Sequence, residues 1–420
     1  MNANPESESF SDFPDEEPAP GEVRRTFEGR LLRRLLSGLG NPPVEFQLWT
    51  GERVAPAGAA AASIRIRIAD RSTLLRVLRD PQVQFPDAYS NGKIEVEGDL
   101  VQLIALLYRG MASVEAKPTI GGRIARWFRG SQRNTLSGSR RNIHHHYDIG
   151  NEFYSLWLGE TMAYTCAYYP NLAATLEQAQ TAKMDHVCRK LQLQAGDSVV
   201  EAGCGWGSLA LHMASRYGAR VRAFNISREQ VAFARERARQ LKLDDRVEFI
   251  QDDYRNISGR YDVFASVGML EHVGRENYPE LGRVVRRSLH SAGRGLIHSI
   301  GRNRPGVLHP WITRRIFPGA YAPSLAEMMQ IFEPSGLSVL DVENIRLHYA
   351  LTLRHWLDRY RAAEDRVRKM FDETFVRMWR LYLAGSIAGF ETGTLQLFQV
   401  VFTTRENNHV PLTRQHLYST

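Results

Sequence analysis

The chain has 420 residues, 43% hydrophobic and 24% charged, a balance that excludes fibrous, collagen-like and wholly disordered proteins and allows two globular domains. No run approaches the length of an apolar membrane span, and the acidic start is unlike a secretory signal, so a cytoplasmic protein is expected. Residues 1–22 hold seven acidic and no basic side chains, which leaves +15 on the rest of a chain of net charge +8 and implies a polyanionic partner, nucleic acid or an anionic membrane surface.

The acidic stretch 1–22, rich in Pro, Glu and Ser, offers too little apolar area to offset ordering entropy and reads as a disordered tail. Next, "RRTFEGRLLRRLLSGLG" sets Phe27, Leu31, Leu32, Leu35, Leu36 and Leu39 at helical spacing beside Arg30, Arg33 and Arg34. This is a basic amphipathic helix, either docked on its own domain or lying on anionic lipid. Within 44–110, "VEFQLWTGERV", "SIRIRIAD" and "GKIEVEGD" alternate apolar and polar residues as short strands do, and "DLVQLIALLYRG" follows as a helix. Residues 23–114 therefore read as a small α+β domain. Between 115 and 145, Arg123, Arg126, Arg129, Arg133, Arg140 and Arg141 are interleaved with Gly and Ser around Trp127 and Phe128, a basic linker.

The larger domain spans 146–410. Past about residue 185, "DSVVEAG", "ARVRAFNI", "RVEFI", "YDVFASV" and "RGLIHSI" are short apolar runs separated by helical segments such as "SLALHMASRYG". That order is the mark of an α/β domain with a parallel sheet covered on both faces, whose ligands sit at the carboxyl ends of the strands. The three cysteines, Cys166, Cys188 and Cys204, form no CxxC pair and suggest neither a disulfide framework nor a zinc site. The run His144–His146 points its side chains in different directions, so no metal is expected there.

At the end of the first of these strands, "VVEAGCGWGSLAL" places Gly203, Gly205 and Gly207 at the opening of a helix, where backbone can approach a ligand and N–H groups face it. The spacing GxGxG differs from the dinucleotide and Walker patterns. "EAGCGWGSLA" resembles the first motif of class I methyltransferases that use S-adenosylmethionine, and in its Trp-containing form it resembles the cyclopropane fatty acid synthases. "HHYDIGNEFYSLWLG", "MAYTCAYYP", "LEQAQTAKMDHVCRKLQL", "NISREQVAFA", "DDYRNISGRYDVFASVGMLEHVG", "LIHSIG", "WITRRIFPGAYAPS" and "HYALTLRHW" follow the same family in the same order, over roughly residues 85–405.

The resemblance implies a Rossmann-like domain with a mostly parallel seven-stranded sheet beside a smaller N-terminal α+β domain that binds lipid. It implies methyl transfer from S-adenosylmethionine to the cis double bond of an unsaturated phospholipid acyl chain, closing a cyclopropane ring, with bicarbonate as the base. The protein would work from the cytoplasm, peripherally on the anionic inner face of the membrane, and relatives with this N-terminal domain suggest a homodimer. By motif position, bicarbonate would meet Cys166, Glu271, His298, the backbone of Ile300 and Tyr349. Their types suit an anion with donor and acceptor groups. S-adenosylmethionine would meet Tyr164, Thr165, Gly203, Cys204, Gly205 and Trp206 on one side, Ser227 and Gln230 near the ribose, and Asp252, Asp253 and Tyr254 at the adenine. In the family the segment matching His146–Asn151 folds over this cofactor.

Three positions depart from the family pattern: Glu201 where aspartate is usual, Ser208 in place of a final glycine, and Asn225 where threonine is expected. Read residue by residue, Glu271 also suits a helix N-terminus and His298 a satisfied core histidine. Two alternatives remain. One is a related lipid C-methyltransferase that leaves a methyl branch or methylene. The other, a nucleic-acid methyltransferase or binder, is disfavoured because "SVGMLEHVG" stands where a base-clamping tetrapeptide would be.

Overall fold

The computed structural model describes residues 26–38, 40–56, 63–115 and 149–418; the acidic tail, nearly all of the arginine-rich segment and the three consecutive histidines lie outside them. The chain forms two compact units. One is built from the described residues before 126 together with Glu364–Ala388, the other from those of 127–363 together with Gly389–Thr420.

The smaller unit carries a four-stranded sheet in the order β2-β1-β3-β4, with β1 Val44–Gln47, β2 Arg53–Val54, β3 Ile64–Ile68 and β4 Ile94–Glu97. Alternation dictates its faces: Ile64, Ile66 and Ile68 are buried, while Arg65 and Arg67 leave the other side and pair with Glu45 and Glu97. The helix Phe27–Gly38 docks through Leu32 and Leu36. Buried Glu52 anchors it by accepting from the Thr26 amide at 2.9 Å and from Arg33 at 2.7 Å. Arg33 is thereby a docking residue of this helix, whereas Arg30 and Arg34 are exposed.

Residues 364–388, assigned from the sequence to the larger domain, pack in the smaller unit instead. Arg377, on the helix Glu373–Glu391, donates to the carbonyls of Tyr89 at 2.6 Å and Ile94 at 2.9 Å and lies 4.5 Å over the Tyr89 ring. Such long-range pairing leaves no local pattern in the sequence.

The larger unit is a seven-stranded sheet in the order β10-β11-β9-β8-β5-β6-β7. The five strands expected from the sequence are β5 Ser198–Ala202, β6 Arg220–Asn225, β7 Val247–Gln251, β8 Tyr261–Val267 and β9 Leu289–Gly301, all parallel. β10 Leu337–Asn344 and β11 Gln396–Thr404 complete it, β11 running antiparallel to both neighbours. Consecutive residues alternate between the two faces. Val199, Val263, Leu296 and Val401 pack in one core with the helices Leu176–Lys190, Ser208–Tyr217 and Arg228–Gln240. Val200, Phe264, Ile297 and Val400 pack in the other with Tyr278–Ser288 and Leu325–Phe332. The result is a Rossmann-like class I methyltransferase fold. No described helix is long and apolar enough to cross a membrane.

Candidate active site

A cavity opens at the carboxyl ends of β5, β6, β7 and β8, where α/β sheets hold their ligands. β5 delivers the glycine turn. Gly205 has φ +53 and a Cβ built on it would meet nothing within 4 Å, so its backbone faces open space on the cavity wall. Gly207 has φ +82 and sits under Phe249, whose ring an added Cβ would approach to 2.6 Å; it closes the turn by packing and leads into the helix at Ser208.

β6 ends in Asn225, whose Nδ2 donates to the Gly205 carbonyl at 3.2 Å and to Gln230 Oε1 at 2.7 Å. Asparagine in place of the expected threonine thus clamps the glycine turn to the next helix. Ser227 is the exception among the expected cofactor residues: it does not line the cavity, because its hydroxyl caps the helix at Gln230. Tyr164, Thr165, Gly203, Cys204, Gly205, Trp206, Gln230, Asp252, Asp253 and Tyr254 all do. Asp253 caps a short turn by accepting from the Arg255 amide, and Asp252 accepts from the Asp253 amide and Asn256. Asn151, the one described polar residue of the segment expected over the cofactor, accepts from the Trp206 indole at 2.7 Å.

Two charged residues of this wall are not among the expected cofactor contacts: Glu201, singled out only as a departure from the motif, and Lys183. Glu201 is buried, and burial pushes its carboxyl up to about 7 against the pull of the Lys183 ammonium. Lys183, equally buried, is pushed down to about 8 by the same desolvation, and its Nζ donates to Thr165 Oγ1 at 3.0 Å. A signal was present: Gln180, Lys183, Met184 and Val187 share the buried face of one helix, and a lysine on such a stripe needs a partner. With Glu201, Asp252 and Asp253 on the wall, an open glycine turn and the Tyr164 and Trp206 rings beside it, the donor set fits a zwitterionic, positively charged nucleoside such as S-adenosylmethionine.

The other expected residues do not line this cavity; Cys166 and Glu271 are next in sequence to its lining residues Thr165 and His272, whereas His298, Ile300 and Tyr349 come from β9 and a later helix. Glu271 follows β8, is buried, and accepts the Ile300 amide at 2.6 Å through Oε1, while its Oε2 has no partner. The Ile300 N–H, expected from the resemblance to donate to an anion, is therefore taken by Glu271. Burial pushes the Glu271 carboxyl up to about 7, opposed by that hydrogen bond. His298, two residues before Ile300 on β9, is buried and held neutral, its imidazole pushed down to about 3 by desolvation and then by Lys183 and Lys190.

Cys166 is fully buried, its thiol raised by desolvation and donating to the Ala167 carbonyl at 3.0 Å, so it is protonated and a poor nucleophile. The Ala167 amide donates to Thr352 Oγ1 at 3.0 Å, and Tyr349 precedes Thr352 by one helical turn, its ring against Phe390 and Trp356. Cys166 and Tyr349 are thus bracketed by one helix face, as Glu271, His298 and Ile300 are by the end of β9. Tyr164, on the cavity wall, is backed by two buried rings, Trp157 at 5.3 Å and Trp356 at 5.5 Å.

Comparison with known proteins shows the family. The family model described as mycolic acid cyclopropane synthetase matches residues 134–400, and a domain of unknown function matches residues 31–118. A probable fatty acid methyltransferase of Pseudomonas putida is 34% identical over 388 residues, 90% of this chain and 96% of that one. The cyclopropane-fatty-acyl-phospholipid synthase of Escherichia coli K12 is 35% identical over 367 residues, 86% of this chain and 93% of that one. Among solved structures, a mycolic acid cyclopropane synthase, CmaA1, complexed with SAH and CTAB, superposes with a TM-score of 0.60 at 26% identity, over 63% of this chain and 98% of that one. The chain belongs to the mycolic acid cyclopropane synthetase family and is an S-adenosylmethionine-dependent methyltransferase of the cyclopropane-synthase type that modifies lipids.

Proposed function

We propose that the protein closes a cyclopropane ring on the cis double bond of unsaturated acyl chains in membrane phospholipids, with bicarbonate as the base. S-adenosylmethionine supplies an electrophilic methyl; the chain's own residues hold the alkene in a dry slot and place an acceptor for the proton that must leave. An alkene is a weak nucleophile, so alignment carries much of the rate, and the Tyr164 ring on the cavity wall, backed by Trp157 and Trp356, offers a π face to the cationic carbon left by methyl transfer.

The observation that carries the reading is Glu271. A buried carboxylate with one oxygen engaged and Oε2 unpartnered accepts the hydroxyl proton of an anion such as bicarbonate, to which the Tyr349 hydroxyl and the His298 imidazole would donate, while the one hydrogen of the Cys166 thiol is held by the Ala167 carbonyl. The E. coli relative carries the name of this activity. A second reading, a methyl-branched or methylene product, is favoured by the P. putida relative and by a tuberculostearic acid methyltransferase of Mycobacterium tuberculosis at 33% identity.

Mass spectrometry of phospholipids from a host lacking such an enzyme decides between them. Ring closure adds one methylene unit and removes the double bond without reduction; a methylene product keeps an unsaturation, and a saturated branch consumes a reductant. Purified enzyme assayed in carbonate-free buffer is expected to lose turnover and regain it on adding bicarbonate. The smaller unit is the lipid-binding part in this reading, with Arg30 and Arg34 facing anionic headgroups from the cytoplasmic side.

A further inference from the structure

His298 and Gln399 are directly opposite each other on β9 and β11, both buried, and Gln399 Nε2 stands 3.1 Å from His298 Nδ1. The other end of the amide is pinned: Gln399 Oε1 lies 2.6 Å from Lys190 Nζ, which also reaches Glu343 Oε2 at 2.6 Å. Glu343 Oε2 in turn meets His186 Nε2 at 2.8 Å, one helical turn before Lys190. Five side chains from one helix and three strands form a continuous relay ending at a site imidazole.

The directions of these bonds follow from chemistry. An ammonium has three donors and no acceptor, so whichever amide atom faces Lys190 must be the oxygen. The atom facing His298 is then the NH2, which only donates, and Nδ1 must supply its lone pair. A neutral imidazole whose Nδ1 accepts carries its proton on Nε2. The imidazolium is excluded as well, since it would set Nδ1–H against N–H.

We propose that Gln399 is a positioning residue which, locked by Lys190 and Glu343, holds His298 as the Nε2–H tautomer, so that the imidazole offers a hydrogen-bond donor to the reaction and cannot act as its base. The inference rests on the reading that His298 faces the bound anion. In the opposite tautomer the Nε2 lone pair would point there instead and repel it. The depressed basicity of His298 agrees with this assignment, and Glu343, held down to about 2 chiefly by His186 and Lys190 against desolvation, keeps the lysine charged. Glutamine mid-way along a buried strand is otherwise a poor choice, since valine or leucine would fill the space without two polar ends to satisfy.

The test is nitrogen NMR on the full chain labelled with 15N-histidine, with His298 assigned by its disappearance in His298→Gln. The expected spectrum has a pyridine-like Nδ1 and a pyrrole-like Nε2; a pyrrole-like Nδ1 in the unaltered protein overturns the proposal. Gln399→Glu keeps the contact to Lys190 but presents an acceptor to the ring, so Nδ1 should become pyrrole-like and kcat should fall roughly tenfold to a hundredfold with KM for S-adenosylmethionine unchanged. An unchanged His298 spectrum in a folded Gln399→Glu protein also overturns it. A switched spectrum with full turnover upholds the tautomer control and sinks instead the role of His298 in the reaction. The wild-type spectrum decides the tautomer even where Gln399→Glu does not fold.

Discussion

Glu271 shows how one side chain sets both chemistry and stability. Its folded-state carboxyl titrates near 7 against an ordinary 4.5, chiefly because burial disfavours the charge. The folded protein therefore holds a proton that the unfolded chain releases between those values. Its stabilising contribution is complete below pH 4.5 and is lost as pH rises through 7, about 3 kcal/mol in all. Glu271→Gln removes the charge yet still accepts from the Ile300 amide. Thermal melts at pH 5 and pH 8 should show the variant losing less stability across that interval than wild type, with part of the slope kept because Glu201 titrates with the same sign. Equal slopes would mean that Glu271 is not buried as a charge. Turnover should fall at least about a hundredfold, the usual contribution of a placed proton acceptor. The sequence pattern sets Glu271 just past the run that forms β8 and His298 within the run that forms β9. Their protonation states are not legible in it, since Gln399, Lys190 and Glu343 meet only in the folded sheet.

At the scale of elements, the turn between β5 and its helix makes two separable demands on glycine. Gly205→Ala meets no steric neighbour, so the fold should survive the left-handed strain of about 1–2 kcal/mol while the methyl group enters the cavity. Calorimetric titration with S-adenosylmethionine should show binding weakened at least about tenfold in a protein of near-normal melting temperature. Gly207→Ala forces a Cβ onto Phe249 and Ala234 and adds overpacking to the same strain, so it should lose about 2–5 kcal/mol and much of its folded yield. If the two variants behave alike in both measurements, the division between cavity and packing glycines is wrong. β5 to β9 announce themselves as apolar runs of the length that a doubly covered parallel strand requires. β11 is as deeply buried, but Gln396, Gln399, Thr403 and Thr404 interrupt its pattern because each meets a polar partner inside the protein. Arg377 is illegible for the same reason: its partners are carbonyls nearly three hundred residues away.

For the whole molecule, the proposed function asks how an enzyme with no described membrane-crossing helix would reach an acyl chain inside a bilayer. In that reading charge would supply the attraction, since the chain beyond the first 22 residues carries +15, and the helix Phe27–Gly38 has Arg30, Arg34 and the 62% exposed Phe27 outside its docked face. Arg33 must be left intact, because buried Glu52 would lose its cationic partner and the helix one of its anchors. Replacing Arg30 and Arg34 together by Glu should therefore weaken co-sedimentation with anionic vesicles by about thirtyfold or more, from roughly 1 kcal/mol per basic residue at an anionic surface, while affinity for S-adenosylmethionine and thermal stability stay unchanged. Added salt should narrow the gap between variant and wild type, because the arginine contribution is screened and the apolar contribution of Phe27 is not. A variant that sediments like wild type at low salt would move the membrane contact to another basic surface of the chain. A variant that loses cofactor affinity as well would mean the helix supports the fold and not the lipid contact.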